Sequence, residues 1–452
     1  MIKSELQNSS LSGLKSIDSC LTLLKQTLDL CRSYGATDAS IDFNQDIGFS
    51  VDVRLSDVEA VSFHQNQGLG IEVYMGQRKG LSSTTDLREQ SIIRAVKMAC
   101  DMAKVSAEDP CYGLIAADKL HDLKDLDLYH PVEISTEQAI SQAIALEKQA
   151  MACDQRIVNS EGANVSSYRF LNATMNTRGF EEVLYSTRHG MSCVLIAKNQ
   201  QDMQRDYAFT TARAKEDLDS MDVVAELAAK RVCARLGART IATQEVPVIF
   251  SPRVASQLMG HFMSAISGTQ LFRKNSFLCE ALGRQIFPSF VSIQEKPFIP
   301  RGLGSSYFDS DGMATRENIF VDGGLLQQYV LGVYSARRLG LKSTGNADGV
   351  HNLHVTANAR DLAELQRQVP KCLVITDLMG HGVQLLTGDL SQGASGYWVE
   401  NGEMIHSVDG VTIAGNLLDI YRDIIAIGAD TDHNRSTQCG SILIRQMMVA
   451  GR

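Results

Sequence analysis

The apolar run Val246-Pro247-Val248-Ile249-Phe250 passes without a linker into Ser251-Pro252. That order is a helix-start signal: a hydroxyl cap, then proline at the first helical position, where its missing N–H costs nothing. Beyond it Val254, Leu258, Phe262 and Ile266 fall four apart, and Met259 and Met263 widen the same stripe. One face of this helix must therefore be covered, and a strand running straight into it supplies the cover. Gly260-His261 is expected to interrupt the helix and Gly268 to end it. The basic pair Arg273-Lys274 follows, beside a small polar turn.

Upstream, Ile17 to Tyr34 reads as an amphipathic helix with Cys20, Leu21, Leu24, Leu28 and Cys31 on one face and Gly35 past its end. Four strand-like runs follow, Ala39–Phe43, Gly48–Leu55, Ala60–Gln65 and Leu69–Met75, with polar turns such as Asn44-Gln45-Asp46 between them. A helix from Glu89 to Val105 closes this first α+β unit near Pro110. A charged connector containing Lys119, His121, Asp122, Lys124, Asp125 and Asp127 leads to a second unit. There Ser135 caps a helix, strand-like runs occur at Ile157–Ser160, Val165–Asn172, Phe180–Thr187, Met191–Lys198 and Asp206–Thr211, and Asp217 to Leu236 is helical. From Thr240 onward, short apolar runs alternate with glycine-rich turns. They include Phe298–Gly302, Ile319–Gly324, Cys372–Ile375, Tyr397–Gly402, Val411–Ala414 and Ile442–Ile444. The fold class is α+β: helix and antiparallel-sheet units over 1–110 and 111–239, then a β-rich domain over 240–452 with the helix after Pro252 laid against it. Many short paired strands leave edges and a long cleft suited to a peptide held as an added strand.

Composition narrows the function. A net charge of −9 argues against nonspecific nucleic-acid binding, which needs a basic face. No apolar run approaches the roughly 18 residues of a membrane-spanning helix, and the start MIKSELQNSSLSGL has no secretory core. Ten scattered cysteines without a CxxC pair read as reduced thiols of a cytoplasmic protein.

Four constellations stand out. His351 and His354 are three apart, but the flanking residues read as a turn and a strand, which would point them to opposite sides; Asp348 is the nearest carboxylate. His381 sits between Gly380 and Gly382, where backbone could approach a ligand. Gly388 to Gly396, with Ser391 and Ser395, is either a tight β-turn region or part of a cleft; it lacks the ending of a phosphate-binding loop. Arg273-Lys274 and Arg337-Arg338 are solvated surface, a subunit salt bridge, or a grip on a peptide carboxylate.

Three segments carry a family resemblance: GHFMSAISG…FRKNSFL at 260–278, YSARRLGLKSTGNADGVHNL at 334–353 and DLMGHGVQLLTGDLSQGASGYWVENGE at 377–403. The chain resembles the TldD/PmbA family, also called the modulator of DNA gyrase family, and within it the PmbA (TldE) arm, over nearly its whole length. The resemblance implies one half of a two-subunit cytoplasmic zinc metalloprotease that degrades peptides or unfolded polypeptides. In the TldD arm the helix at this place carries HExxxH. Laid onto this chain, its first His is Ser256, its Glu is Gln257, and only the last His survives, as His261. Serine is a poor zinc ligand, and a glutamine cannot take a proton from metal-bound water. Residues five apart on a regular helix also point about 140° apart. His261 then reads as a packed helix histidine. The family's further cysteine ligand falls near Cys439, several residues out of register. The resemblance thus implies zinc in a TldD-like partner and none here, a homodimer in isolation, and peptide-cleft candidates His261, Arg273, His381, Ser391 and Ser395. The alternatives are a homodimeric weak hydrolase and a catalytically silent peptide-binding or regulatory protein.

Overall fold

The computed structural model describes residues 13–116, 125–200, 202–347 and 349–451. The tail before Gly13 and connector residues Lys119, His121, Asp122 and Lys124 lie outside them. The chain is α+β, with helix and antiparallel-sheet units first and a β-rich region after them.

The first unit is α1 (Ile17–Ser33), β1 (Asp38–Arg54), β2 (Asp57–Met75), β3 (Arg78–Thr84) and α2 (Glu89–Val105). The second repeats that order as α3 (Thr136–Ala152), β4 (Ile157–Asn176), β5 (Glu181–Lys198), β6 (Met203–Ala212) and α4 (Met221–Ala234). A capping box between Ser135 and Gln138 starts α3. The six strands form one antiparallel sheet in the order β3-β2-β1-β4-β5-β6, because β1 pairs with β4 from Ser40↔Asn176 to Val53↔Ala163.

The expected runs 39–43 and 48–55 are therefore one strand, as are 60–65 and 69–75, 157–160 and 165–172, and 180–187 and 191–198. Asn44-Gln45-Asp46 is strand, not turn. The odd positions of β1 face the helices all along its length. Ala39, Ile41 and Phe43 join the core under α1 and α2; Val51 and Val53 join the core under α3 and α4. Gln45 lies between the two cores and is buried, its amide satisfied by Lys15 N (2.9 Å) and Gly13 O (3.2 Å). β3 is a strand that the sequence reading missed.

On the other face of the sheet, Asp42 and Glu182 stand in register on either side of Thr174, whose hydroxyl donates to Asp42 at 2.6 Å. Partial burial raises the Glu182 carboxyl to about 7. Folded protein thus keeps a proton on Glu182 after the unfolded chain, with an ordinary carboxyl, has released it. Stability falls as pH rises through that interval, up to about 7, and the loss is complete above it. Glu182→Gln should flatten this slope and stabilise the protein at pH 8 by on the order of 1 kcal/mol. Denaturant midpoints between pH 5 and 8 test this; parallel curves for the two proteins would contradict it.

After α4 come β7 (Gln244–Phe250), α5 (Pro252–Ala265) and α6 (Gly268–Phe272). A small sheet follows in the order β10-β9-β8-β11-β17, from β8 (Ile293–Glu295), β9 (Ile319–Asp322), β10 (Leu325–Leu326), β11 (Leu353–Val355) and β17 (Thr437–Gln438). Helix α7 (Val333–Leu339) precedes β11. The larger sheet adds β12 (Lys371–Met379), β13 (Val383–Gln384), β14 (Asp389–Glu400), β15 (Glu403–Asn416), β16 (Ile424–Ile427) and β18 (Ile442–Ala450). Its pairings β12-β7-β18-β15-β14 return from β14 to β12, so these five strands form a closed circuit. Helices α8 (Leu362–Arg367) and α9 (Leu417–Arg422) also lie in this region. Phe298–Gly302, expected as an extended run, is turn. Arg301 there takes φ 56° and ion-pairs with Asp127 (2.6 Å), Glu216 (3.1 Å) and Asp217 (3.3 Å), tying the domains together.

Candidate functional site

Helix α5 starts at Pro252 with Ser251 as its extended N-cap, but the Ser251 hydroxyl caps nothing. The Ser251 N–H instead donates to Ile375 O at 3.0 Å, continuing the parallel β7–β12 ladder. The helix runs unbroken through Gly260-His261 and ends at Ala265, before Gly268. Gly268 opens α6, where a Cβ would meet the Ser335 hydroxyl at 2.2 Å; its lack of a side chain lets α6 and α7 touch. Val254, Ala255, Leu258, Met259, Phe262 and Ala265 are buried as the stripe requires. Phe262 meets Phe287 and Tyr421 edge-on at 4.9 and 5.7 Å, and the Tyr421 hydroxyl donates to Leu258 O at 3.0 Å.

That packing turns Ser256, Gln257, Gly260 and His261 away from the core. Ser256 and His261 are half-buried and Gln257 is exposed. The helix start is held by Arg253, whose guanidinium pairs with buried Asp206 of β6 at 2.7 Å and lies over the Tyr207 ring at 4.3 Å. Arg235 bridges Asp206 and Asp377 of β12 at 3.6 and 3.2 Å, so the Asp206 carboxylate links α5, the six-stranded sheet and, through Arg235, the larger C-terminal sheet.

Ser256 and Gln257 open onto a cleft of about 430 Å³ between the six-stranded sheet and the C-terminal domain. Its far wall is Arg188 of β5 and Thr211 of β6; its floor includes Leu303 and the loop Asn434–Thr437. Thr211 N donates to Asn434 Oδ1 at 2.7 Å, fixing that loop against the sheet. Arg435 pairs with Asp432 at 3.0 Å, whereas Arg188 is exposed and has no carboxylate within ion-pair distance among the described residues. Behind the wall, Arg213 donates to Thr187 O and Leu303 O. Burial, reinforced by Arg188, pushes the Arg213 guanidinium down to about 10. Hydroxyls, amides and guanidinium groups line this cleft, with no carboxylate, imidazole or thiol among the described residues. Such walls bind peptide carbonyls or a carboxylate, but contain no base to activate water.

The donor set does not fit zinc. Ser256 and Gln257 stand where two of the motif's groups would be, and His261 is not among the cleft walls. Burial keeps the His261 imidazole below its ordinary value. Cys439 is fully buried, its thiol pushed up to about 12 and directed to Gly440 O at 3.5 Å. Among the described residues no three His, Cys, Asp or Glu side chains gather as a metal site.

The other candidates lie apart from this cleft. Arg273 lines a pocket with Phe272 and Tyr334. His381 is exposed between β12 and β13; exposed Ser391, at the start of β14, donates its N–H to Gly382 O at 2.7 Å. Ser395 is buried in a crevice beside Arg235, its hydroxyl without a partner. The stretch Gly388–Gly396 is thus mostly strand β14. Arg337 donates to the carbonyls of Cys111 (3.0 Å) and Gly113 (2.7 Å), and Arg338 lies 3.7 Å from Asp109, so this pair binds the domains of one chain. His351 is buried against Glu295, a partner the sequence reading missed. Arg188 was missed as well: a lone arginine on a strand gives no local signal, and only the sheet register sets it opposite Ser256.

Three family models cover most of the chain: PmbA/TldA metallopeptidase domain 1 over residues 39–103, the central domain over 129–236 and the C-terminal domain over 243–451. The chain is 42% identical to the metalloprotease PmbA of Escherichia coli O157:H7 over 415 residues, 92% of each chain. It is 41% identical to a metalloprotease PmbA homolog of Haemophilus influenzae over 94% of each. In fold it matches TldE of Thermococcus kodakarensis with a TM-score of 0.83 at 18% identity, covering 95% of this chain and all of that one (100%).

Proposed function

The chain belongs to the PmbA/TldD metallopeptidase family, and from that premise we propose that it is the zinc-free subunit of a two-subunit cytoplasmic peptide hydrolase. Its partner is a TldD-like chain that holds the zinc. This chain closes the channel over that zinc and grips the peptide or unfolded polypeptide; in isolation it pairs with itself. The observation that carries the reading is the cleft at Ser256 and Gln257, where the motif helix faces guanidinium, amide and hydroxyl groups instead of metal ligands. Sequence similarity to a metalloprotease TldD homolog of Buchnera aphidicola, 19% over 396 residues, supports a partner of related build. No helix among the described residues is long and apolar enough to cross a membrane, and the net charge of −9 does not favour nucleic acid as a partner.

The test is zinc per chain after purification without added metal, with peptide hydrolysis assayed for each chain alone and for the mixture. Expected are zinc near zero in this chain and activity only in the mixture. Within the mixture, Arg188→Ala should raise KM with kcat little changed, as for a contact made equally in ground and transition states. Stoichiometric zinc that disappears in His261→Ala, together with activity of the chain alone, would overturn the reading.

A further inference from the structure

A second pocket, of about 500 Å³, opens where the first domain meets the last, and shares no lining residue with the cleft at Ser256 and Gln257. Its walls come from distant segments: Lys79 and Leu81 of β3, Met102 of α2, Tyr112, Phe272 and Arg273 at the end of α6, and Tyr334 of α7. Tyr112 and Tyr334 stack with centroids 5.2 Å apart, and Phe272 meets Tyr334 edge-on at 5.6 Å. The Tyr334 hydroxyl is held by Asp109 at 2.8 Å, which fixes the ring. At the mouth, Leu81 and Met102 are 51% and 47% exposed, far more than a covered core would leave them. Met98 and Val105 extend the same apolar strip along α2.

The charges in this pocket are unequal. Lys79 is neutralised by Glu72 at 2.7 Å, and Arg338 has Asp109 at 3.7 Å. The one carboxylate among the described wall residues, Asp311, accepts from Val333 N at 2.7 Å at the start of α7. Arg273 is exposed, stacks its guanidinium 5.7 Å from the Phe272 centroid, and has no carboxylate within ion-pair distance among the described residues. Arg337, beside Gly113, is spent on the carbonyls of Cys111 and Gly113, so an aromatic box with the exposed Arg273 guanidinium at its edge matches an apolar group that carries a single carboxylate. A phosphate would draw on more than one free cation.

We propose that this pocket receives the C-terminal residue of a peptide, with its apolar side chain against Tyr112, Tyr334 and Phe272 and its α-carboxylate on Arg273. The inference rests on the reading that this chain handles peptides, but it concerns binding by the chain alone and needs no zinc. Binding of the peptide Ala-Ala-Ala-Phe as free acid, of its C-terminal amide, and of N-acetylphenylalanine would be measured by calorimetry. The free acid should bind at least tenfold more tightly than the amide. Arg273→Ala and Met102→Glu, both at exposed positions that leave the fold intact, should each weaken the acid by tenfold or more. Equal binding of acid and amide, no effect of either variant, or no binding at all would overturn the proposal. N-acetylphenylalanine binding as well as the peptide would also overturn it, in favour of a small free acid. Activity of the two-chain mixture is read separately, so a failed titration leaves the subunit assignment standing, and a failed mixture does not alter the titration.

Discussion

Phe262→Ala is expected to destabilise the protein by about 3–5 kcal/mol, the range for deleting a fully packed aromatic side chain. Phe262 is entirely buried and is one of three mutually packed rings; Phe287 and Tyr421, its two neighbours, themselves lie 4.9 Å apart. Removing it leaves a cavity that the neighbours cannot fill, because Tyr421 is fixed by its bond to Leu258 O. The same helix supplies the control. His261→Ala removes a half-buried ring from the opposite face and should cost no more than about 0.5 kcal/mol. Chemical denaturation of both variants makes the comparison. Similar losses for the two would mean that α5 is not held by its apolar stripe, and the orientation of Ser256 and Gln257 would lose its physical basis.

Glu295→Ala should cost a similar amount, about 3–5 kcal/mol, for a different reason. The Glu295 carboxylate has no solvent exposure and collects donors from three residues. His351 gives both its N–H (2.6 Å) and its Nδ1 (2.9 Å), Asn346 its amide (2.8 Å), and Asn318 its amide to the other oxygen (2.6 Å). Alanine would strand these donors in a dry interior, where each unpaired group is costly. Glu295→Gln keeps the volume and one carbonyl acceptor but presents an NH₂ to one set of donors, and should lose roughly half as much. Thermal melts of the two variants decide it; a Glu295→Ala melt within a degree or two of the parent would rule out this carboxylate as the anchor that holds Asn318, Asn346 and His351 together.

The parts of the fold legible in the sequence were those whose cause is local. The stripe Val254, Leu258, Phe262 repeats within one helix, and Ser135 caps its helix within one turn. The long strands were not legible because their polar outer faces never break, while their inner faces pass between two helix pairs at Gln45 and Ile47, so the alternation looks like a turn. Glu295 and His351 are 56 residues apart, and no spacing rule connects them. The same holds for the two clefts. Ser256 and Gln257 could be singled out by resemblance, but Arg188 and Asn434 come to face them only through the sheet register. Arg273 looked like ordinary surface until α6 and α7 placed Phe272 and Tyr334 beside it.

The strand shared by two cores has a bearing on how the chain is made. As the protein leaves the ribosome, β1 can pair at once with β2, but its other edge waits for β4, which ends at Asn176. At ordinary synthesis rates that wait is roughly ten seconds. During it the first unit also lacks Leu171 and Ala173, which β4 contributes to the core under α1 and α2. The nascent N-terminal unit is therefore not an autonomous folding domain. It emerges with an open strand edge and an unfinished core, the state that chaperones protect and that aggregates when they do not.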